Sequence, residues 1–410
     1  MKGESPLKVL VHLNSLGLGG TQINAVDLAA QMRGRGVESV LVGARDTIPT
    51  GPSMIEVAAA RDMEISLYDP APAIFSRARQ VTALARRHQV DLVHVYGSWG
   101  GGARPTYWGP SLFARKPWVQ TIYEMSVSAK IHRHMPMIVG TGYQRDEQHD
   151  RPGRTILISP PVDLIENQPD VHGASHFRLA NRIDDGLLLV IVSRLDSSMK
   201  SVPTIAAIDA MSVLAPTGAT LAIVGTGDNV AAIQSRADAV NERVGRRAVR
   251  VIGPMADPRP AYAAADIMLG MGGSAARSLA FAKPLVVQGE AGWSLLFEPS
   301  SAETLARSSF WSPDAVPDPA AQLAATIAPL VADSARRNEL GRFGRTFAEE
   351  RFALTVMADR LIDFYRTVQG EYTSRDWLAD LPFEGRTLSA KVARVARNAL
   401  RLDPTPREGS

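Results

Sequence analysis

The residues best placed to do chemistry are a cationic pair beside glycine-lined turns. Arg194 and Lys200 follow an apolar run over residues 187–192, as Ser193-Arg194-Leu195 and then Lys200 at the start of an expected helix. Gly225-Thr226-Gly227 ends the next apolar run. Gly270, Met271, Gly272 and Gly273 end a third, with Ser274 opening a helix that Lys283-Pro284 closes. A strand that empties through glycines into a helix N-terminus presents free backbone N–H groups and the positive end of the helix dipole. Small residues let an anion approach that backbone, so such turns suit a phosphate or diphosphate. Arg194 and Lys200 beside them would hold a diphosphate through charge-assisted hydrogen bonds. The plain alternatives are tight β–α turns without a ligand and two surface cations.

A further glycine turn lies near the N-terminus, where residues 7–13 read as a buried strand that runs into Gly17, Gly19 and Gly20. Thr21 is expected to cap a helix ending about Met32, packed on a sheet through Ile23, Val26, Ala29 and Ala30. The order G-x-G-G is not the dinucleotide fingerprint G-x-G-x-x-G, which discounts a nicotinamide cofactor. His12, His94, Tyr96, Trp99 and Arg104 fall at or just beyond strand ends of this half, where a second substrate would be met. Core or loop packing explains any of them taken singly.

Strand, glycine turn and helix alternate through both halves, which indicates an α/β protein with two doubly wound, Rossmann-like domains. Strands are expected at 37–42, 65–68, 91–96, 118–123, 137–139 and 155–158, then at 187–192, 220–224, 249–252, 267–269 and 285–287. A basic amphipathic helix is expected at 73–87. Residues 160–186, rich in Pro, Asp, Asn and Gly, read as a linker, and residues 340–369 as one helix. Ligands of such sheets sit outside the carboxyl ends of the strands, so two domains facing one another would place a cleft between those edges.

The chain has 410 residues, 45% hydrophobic and 21% charged, an ordinary soluble composition with room for two cores. Its 45 basic and 42 acidic residues leave a net charge of +3, too small an excess for nucleic-acid binding as the main task. There is no cysteine, which excludes disulfides and thiolate metal sites. The first residues carry neither a signal-peptide pattern nor a membrane span, so a cytoplasmic protein is expected. Residues 388–402 form a basic amphipathic stretch that could pack on the body, self-associate or touch an anionic membrane surface.

With these residues in view the chain resembles a GT-B glycosyltransferase, and within that fold glycosyltransferase family 4, over about residues 7–370. VLVHLNSLGLGGTQINAVDLAAQMRGRGVESVLVG resembles the family's opening strand, Gly-Gly loop and helix. LISPPVDLIENQP resembles the passage into the second domain, and VIVSRLDSSMK the phosphate clamp. LAIVGTG, VIGPMADPRPAYAAADIMLGMGGSAARSLAFAKPLVV and RFALTVMADRLIDFY complete the series. The resemblance implies residues 1–170 as an acceptor-binding domain and 171–355 as a nucleotide-sugar-binding domain. It implies residues 356–373 as a helix returning to the first, with 374–410 as a basic tail.

It further implies sugar transfer from a nucleotide-diphosphate donor to a small-molecule or glycan acceptor, with retention of configuration. Neither a metal nor a cofactor beyond that co-substrate is implied. Arg194 and Lys200 match the diphosphate-binding pair. Gly19 and Gly20 match the first-domain loop, and Gly225, Gly227, Met271, Gly272, Gly273 and Ser274 fall at donor contacts.

The departures are specific. The family's paired glutamates are absent: aligned on Lys283-Pro284, the second falls on Arg277 and the first near Leu269. Glu290 is a candidate replacement carboxylate. A histidine common after the fifth strand is replaced by Tyr123-Glu124, of which Tyr123 is a candidate acceptor contact and Glu124 either a catalytic carboxylate or a cap. A nucleotide-sugar epimerase of the same fold, or a non-catalytic partner protein, is the alternative.

Overall fold

The computed structural model describes residues 5–51, 53–98, 102–124, 126–129, 131–197, 199–387 and 389. The chain packs as two units. One comprises the residues up to Gly140, Gln144–Leu157 and the chain from Leu361 on; the other is Thr141–Tyr143 with Ile158–Arg360.

The chain opens with β1 (Leu7–Leu13), α1 (Gly20–Met32), β2 (Val37–Ala44), α2 (Met54–Ala59), β3 (Ile65–Tyr68), α3 (Ile74–Arg87) and β4 (Leu92–Tyr96). Next comes α4 (Ala103–Thr106), which widens into a π-type stretch, Tyr107–Phe113. β5 (Trp118–Ile122), β6 (Met137–Val139), α5 (Gly142–Glu147) and β7 (Thr155–Leu157) follow. These strands form one sheet in the order β3-β2-β1-β4-β5-β6-β7, every pair parallel. β4, β5 and β6 are buried along their whole length, as expected of a parallel sheet covered on both faces.

The second unit runs through α6 (Val171–Ala180), β8 (Leu188–Val192), α7 (Ser201–Leu214), β9 (Thr220–Val224), α8 (Val230–Val244), β10 (Val249–Gly253), α9 (Arg259–Ala264) and β11 (Ile267–Gly270). α10 (Gly273–Ala280), β12 (Leu285–Gln288), β13 (Ser294–Leu296), α11 (Ala302–Arg307), α12 (Pro319–Val331) and α13 (Ser334–Arg351) complete it. The sheet order is β10-β9-β8-β11-β12-β13, parallel except for β13, which closes the edge antiparallel to β12. Alternate residues face opposite cores. Leu188 and Val190 join Met268, Leu285 and Val287 on one face, while Leu189 and Ile191 join Ile267, Leu269 and Val286 on the other. Each such fully buried aliphatic side chain contributes about 1.5–3 kcal/mol.

The chain re-enters the first unit inside α14 (Leu354–Glu371), followed by α15 (Ser374–Ala379) and helical residues 381–387. Among the described residues no helix is long and apolar enough to cross a membrane. The basic stretch at 388–402 lies outside the described residues, apart from residue 389.

Several expectations need correction. Thr21 does not cap α1: Gly19 is the N-cap and no side chain bonds the free amides. The segment read as a linker contains α6, whose Phe177 is 2% exposed in the core of the second unit. The single helix read over 340–369 is two. Val162 donates its N–H to Phe352 O and Leu354 donates its N–H to Val162 O, so a β-bridge between Val162 and Ala353 takes residues 352–353 out of the helix.

Candidate functional site

The chemistry of the second unit gathers at the carboxyl ends of its parallel strands. The loops leaving β8 and β9 are interlocked: Ser193 N–H donates to Val224 O, Leu195 N–H to Thr226 O and Asn229 N–H to Leu195 O. Gly225 has φ +147°, and a Cβ there would lie 1.8 Å from Ser193 O; one on Gly227 would lie 2.2 Å from Leu195 O. These glycines are required because two backbones touch, a role distinct from the ligand contact expected of them.

That interlock presents Arg194 and Lys200 around Asp196. The Arg194 guanidinium lies 3.4 Å from the Asp196 carboxylate with its side chain 78% exposed. Asp196 Oδ1 accepts the Met199 N–H at 3.1 Å, which fixes the loop on which the carboxylate sits. Lys200 is the N-cap residue of α7. Burial pushes its ammonium down to about 8; Asp196 and Glu290 oppose that shift and Arg194 adds to it. Lys200 therefore remains mostly protonated at neutral pH, with little margin.

β11 is the sheet neighbour of β8, so its exit lies beside theirs. Gly272 takes φ 58° and ψ −134°, a conformation that favours glycine, and gives its N–H to Phe310 O. Ser274 Oγ donates to Met271 O. α10 has no side-chain cap and no acid in its first turn, and a Cβ on Gly273 would meet nothing within 4 Å. The turn has the open face that an anion needs. Met271 itself is buried.

Arg277 is exposed but engaged, hydrogen-bonded to the Tyr262 hydroxyl and within the field of Asp257. Burial pushes the Tyr262 phenol up to about 12 against the pull of Arg277. Glu290, after β12, donates its N–H to Ser312 O and accepts the Trp311 indole N–H at 3.2 Å.

In the first unit the candidates separate. Gly19 and Gly20 stand at the uncapped N-terminus of α1, which has no acid in its first turn. A Cβ on Gly20 would meet open space, whereas one on Gly19 would lie 2.8 Å from Gln22 Oε1. His94 is fully buried. Its Nδ1 bonds Tyr365 Oη at 2.6 Å and its Nε2 bonds Thr121 Oγ1 at 2.7 Å. Burial pushes it down to about 3, so it is neutral. Tyr96, 1% exposed, packs against the His94 ring. Both are core residues, which corrects their expected contact with an acceptor.

His12 is also interior. Its Nε2 bonds Tyr68 Oη at 3.0 Å, and burial pushes it down to about 4. Gly102 closes over it, for a Cβ there would fall 2.3 Å from His12 Nδ1. Tyr123 is half-buried, set edge-on to Tyr96. The Glu124 carboxylate accepts the Ser98 N–H, and its carbonyl accepts the Gln144 amide, so it ties the exits of β4 and β5 together. Its Oε2 is buried and has no hydrogen-bond partner among the described residues. Trp99 lies outside the described residues.

Arg104 leads to a cluster that sequence reasoning missed. Its guanidinium is 3.3 Å from Glu384, which also accepts the Trp108 indole N–H at 2.8 Å and meets His132 Nε2 at 3.0 Å. One turn earlier, Asp380 accepts the backbone N–H groups of Arg133 and His134 and bonds His134 Nδ1. The Trp377 ring stacks on Tyr107, which stacks on His132. The alternation Trp377, Asp380, Glu384 at helical spacing was the available signal. Among the described residues no group of three or more His, Cys, Asp or Glu side chains is placed to hold a metal ion.

No protein-family model matches the sequence, and a search of curated proteins finds no match. Solved structures share the fold. A glycosyltransferase from Rickettsia africae aligns with TM-score 0.70 and 12% identity, over 90% of this chain and all of that one. HepE of Anabaena in complex with UDP aligns with TM-score 0.67 and 16% identity, over 88% of this chain and 100% of that one. S. aureus MnaA with UDP aligns with TM-score 0.58 and 12% identity, over 90% and 99%. The architecture of this chain, two Rossmann-like sheets with alternating helices, is that of the GT-B fold.

Proposed function

We propose that the chain is a glycosyltransferase of the family 4 type, moving a sugar from a nucleotide-diphosphate donor to a small-molecule or glycan acceptor with retention of configuration. The observation that carries this reading is the grouping of Arg194 and Lys200 around Asp196, beside the open N-terminus of α10. The two cations would bind the donor diphosphate and stabilise the charge that develops on the departing nucleoside diphosphate. Backbone N–H groups at Gly273 and Ser274 would add donors to the same anion. Supporting the donor class, HepE, with the same fold, is known in complex with UDP and with UDP-glucose.

In this reading no metal and no cofactor beyond the nucleotide sugar takes part, and the protein works in the cytoplasm. Glu124 is a loop-fixing carboxylate whose buried free oxygen is its one route to a catalytic role. Gly19 and Gly20 stand at an uncapped helix N-terminus, where Gly20 has open space beside it for a ligand.

An epimerase is the second reading, because a putative UDP-N-acetylglucosamine 2-epimerase of Listeria monocytogenes has this fold too, at TM-score 0.59. Incubating the protein with the nucleotide sugar it binds, with and without candidate acceptors, decides between them. Transfer predicts release of nucleoside diphosphate that depends on acceptor. A change in the donor sugar without acceptor would establish the epimerase, and binding with neither product would leave a non-catalytic partner protein.

A further inference from the structure

One face of the first unit sets large apolar tips among arginines. It is built where α3 lies against the π-type stretch so closely that a Cβ on Gly109 would fall 2.4 Å from Ala78 O. Phe75, Arg79 and Arg86 recur at helical spacing along one side of α3. That side borders the π-type stretch: the Phe75 ring meets Trp108 edge-on at 5.5 Å, and Arg86 Nη2 donates to Phe113 O at 3.4 Å. Phe75 and Phe113 are 50% and 42% exposed, with the exposed Arg79 and Arg86 between them. Residues 70–123 carry seven Lys and Arg against one acid, Asp91, whose Oδ2 already accepts the Lys8 N–H. The acids behind the face, Asp380 and Glu384, are buried and paired with His134 and His132.

This charge decides what can cover the face. A second copy of the chain would set arginine against arginine. So would residues 388–402, which continue from the helical segment that holds Trp108 through Glu384 and carry four Lys and Arg and no acid. A soluble polyanion would meet the arginines but leave both phenyl rings in water. An anionic bilayer takes both, with cations at the headgroups and rings at the acyl boundary.

We propose that this face docks the first unit on an anionic lipid surface, with Phe75 and Phe113 as inserted tips and Arg79 and Arg86 on the headgroups. The contact is independent of the donor site of the second unit.

The test is flotation of the full-length protein with vesicles of phosphatidylcholine, alone or with about a third phosphatidylglycerol. The protein should float with the anionic vesicles only, and salt should release it. Arg79→Gln should weaken partition about fivefold, the effect of one charge at such a surface. Phe75→Ser with Phe113→Ser should weaken it about tenfold or more, yet leave retention on heparin unchanged, since no ring is buried there. Failure to float with anionic vesicles overturns the proposal, and so does flotation unmoved by these variants. Heparin retention without flotation assigns the face to a soluble polyanion and overturns the lipid contact. Flotation lost on ending the chain at Ser389 but unmoved by the Phe and Arg79 variants gives the contact to the tail and overturns the face. Should the double variant fail to fold, Phe113→Ser alone carries the apolar readout, and Arg79→Gln the charge.

Discussion

Arg194 Nη2 stands 3.4 Å from Asp196 Oδ2, yet the arginine side chain is 78% exposed while the aspartate is 20% exposed. A cation held loosely by a fixed carboxylate is available to a ligand; one locked in a buried pair is not. Exposed pairs of this kind contribute at most about 1 kcal/mol to stability.

Arg194→Ala should therefore leave thermal stability within about 0.5 kcal/mol of the parent. Nucleotide binding should weaken by about 1.5–3 kcal/mol, roughly ten- to over a hundredfold in Kd. Calorimetry and a thermal melt on the same sample check both halves.

Lys200 gives the pH dependence. Its folded pKa, about 8, lies below the ordinary lysine value of 10.5. The ammonium form is thus penalised by folding, and that penalty lifts as pH rises from about 8 toward 10.5. Nucleotide affinity should run the other way, full below the folded pKa and falling as pH rises through it. Lys200→Arg, whose charge does not titrate, should flatten that fall in binding measured from pH 7 to pH 9.5.

The glycines separate packing from ligand approach. Gly225→Ala sets a Cβ 1.8 Å from Ser193 O at φ +147° and should destabilise the second unit by on the order of 3 kcal/mol or more. Gly273→Ala meets open space and should stabilise α10 by about 0.5–1 kcal/mol while weakening nucleotide binding. Denaturant melts with binding isotherms show whether stability and affinity move apart.

Residues 374–387 should behave as part of the first unit. Glu384→Ala leaves the buried His132 ring and the Trp108 indole N–H without their hydrogen-bond partner and should cost about 1–3 kcal/mol. Burial alone would raise the Glu384 carboxyl, but the His132 and Trp108 hydrogen bonds outweigh it and hold it below its usual value. Its contribution is therefore present above the unfolded carboxyl pKa and lost as pH falls through the lower folded one. Tryptophan fluorescence across an acid titration, compared with Glu384→Gln, reports the loss.

The sequence shows the sheets and glycine turns because parallel strands are uniformly apolar runs and each empties into small residues. His94 and Tyr96 misled because a strand's alternation gives which residues share a face, not whether that face is capped; here Tyr365 covers it. The break at 352–353 depends on Val162, far away in sequence, and leaves no local mark. α6 was hidden by a single buried anchor, Phe177, in a polar stretch. Glu290 was visible as a carboxylate, but its tie to Trp311 exists only in the folded loops.

The most direct test is calorimetric and thermal-shift binding of UDP-, GDP-, ADP- and dTDP-sugars to the parent chain, Arg194→Ala and Lys200→Ala. The account predicts that one nucleotide binds the parent, stabilising it by about 2.7 kcal/mol at a hundredfold excess over Kd, and that both variants lose most of that gain. A nucleotide bound equally by all three proteins would contradict the diphosphate site, and so would no binding across the panel.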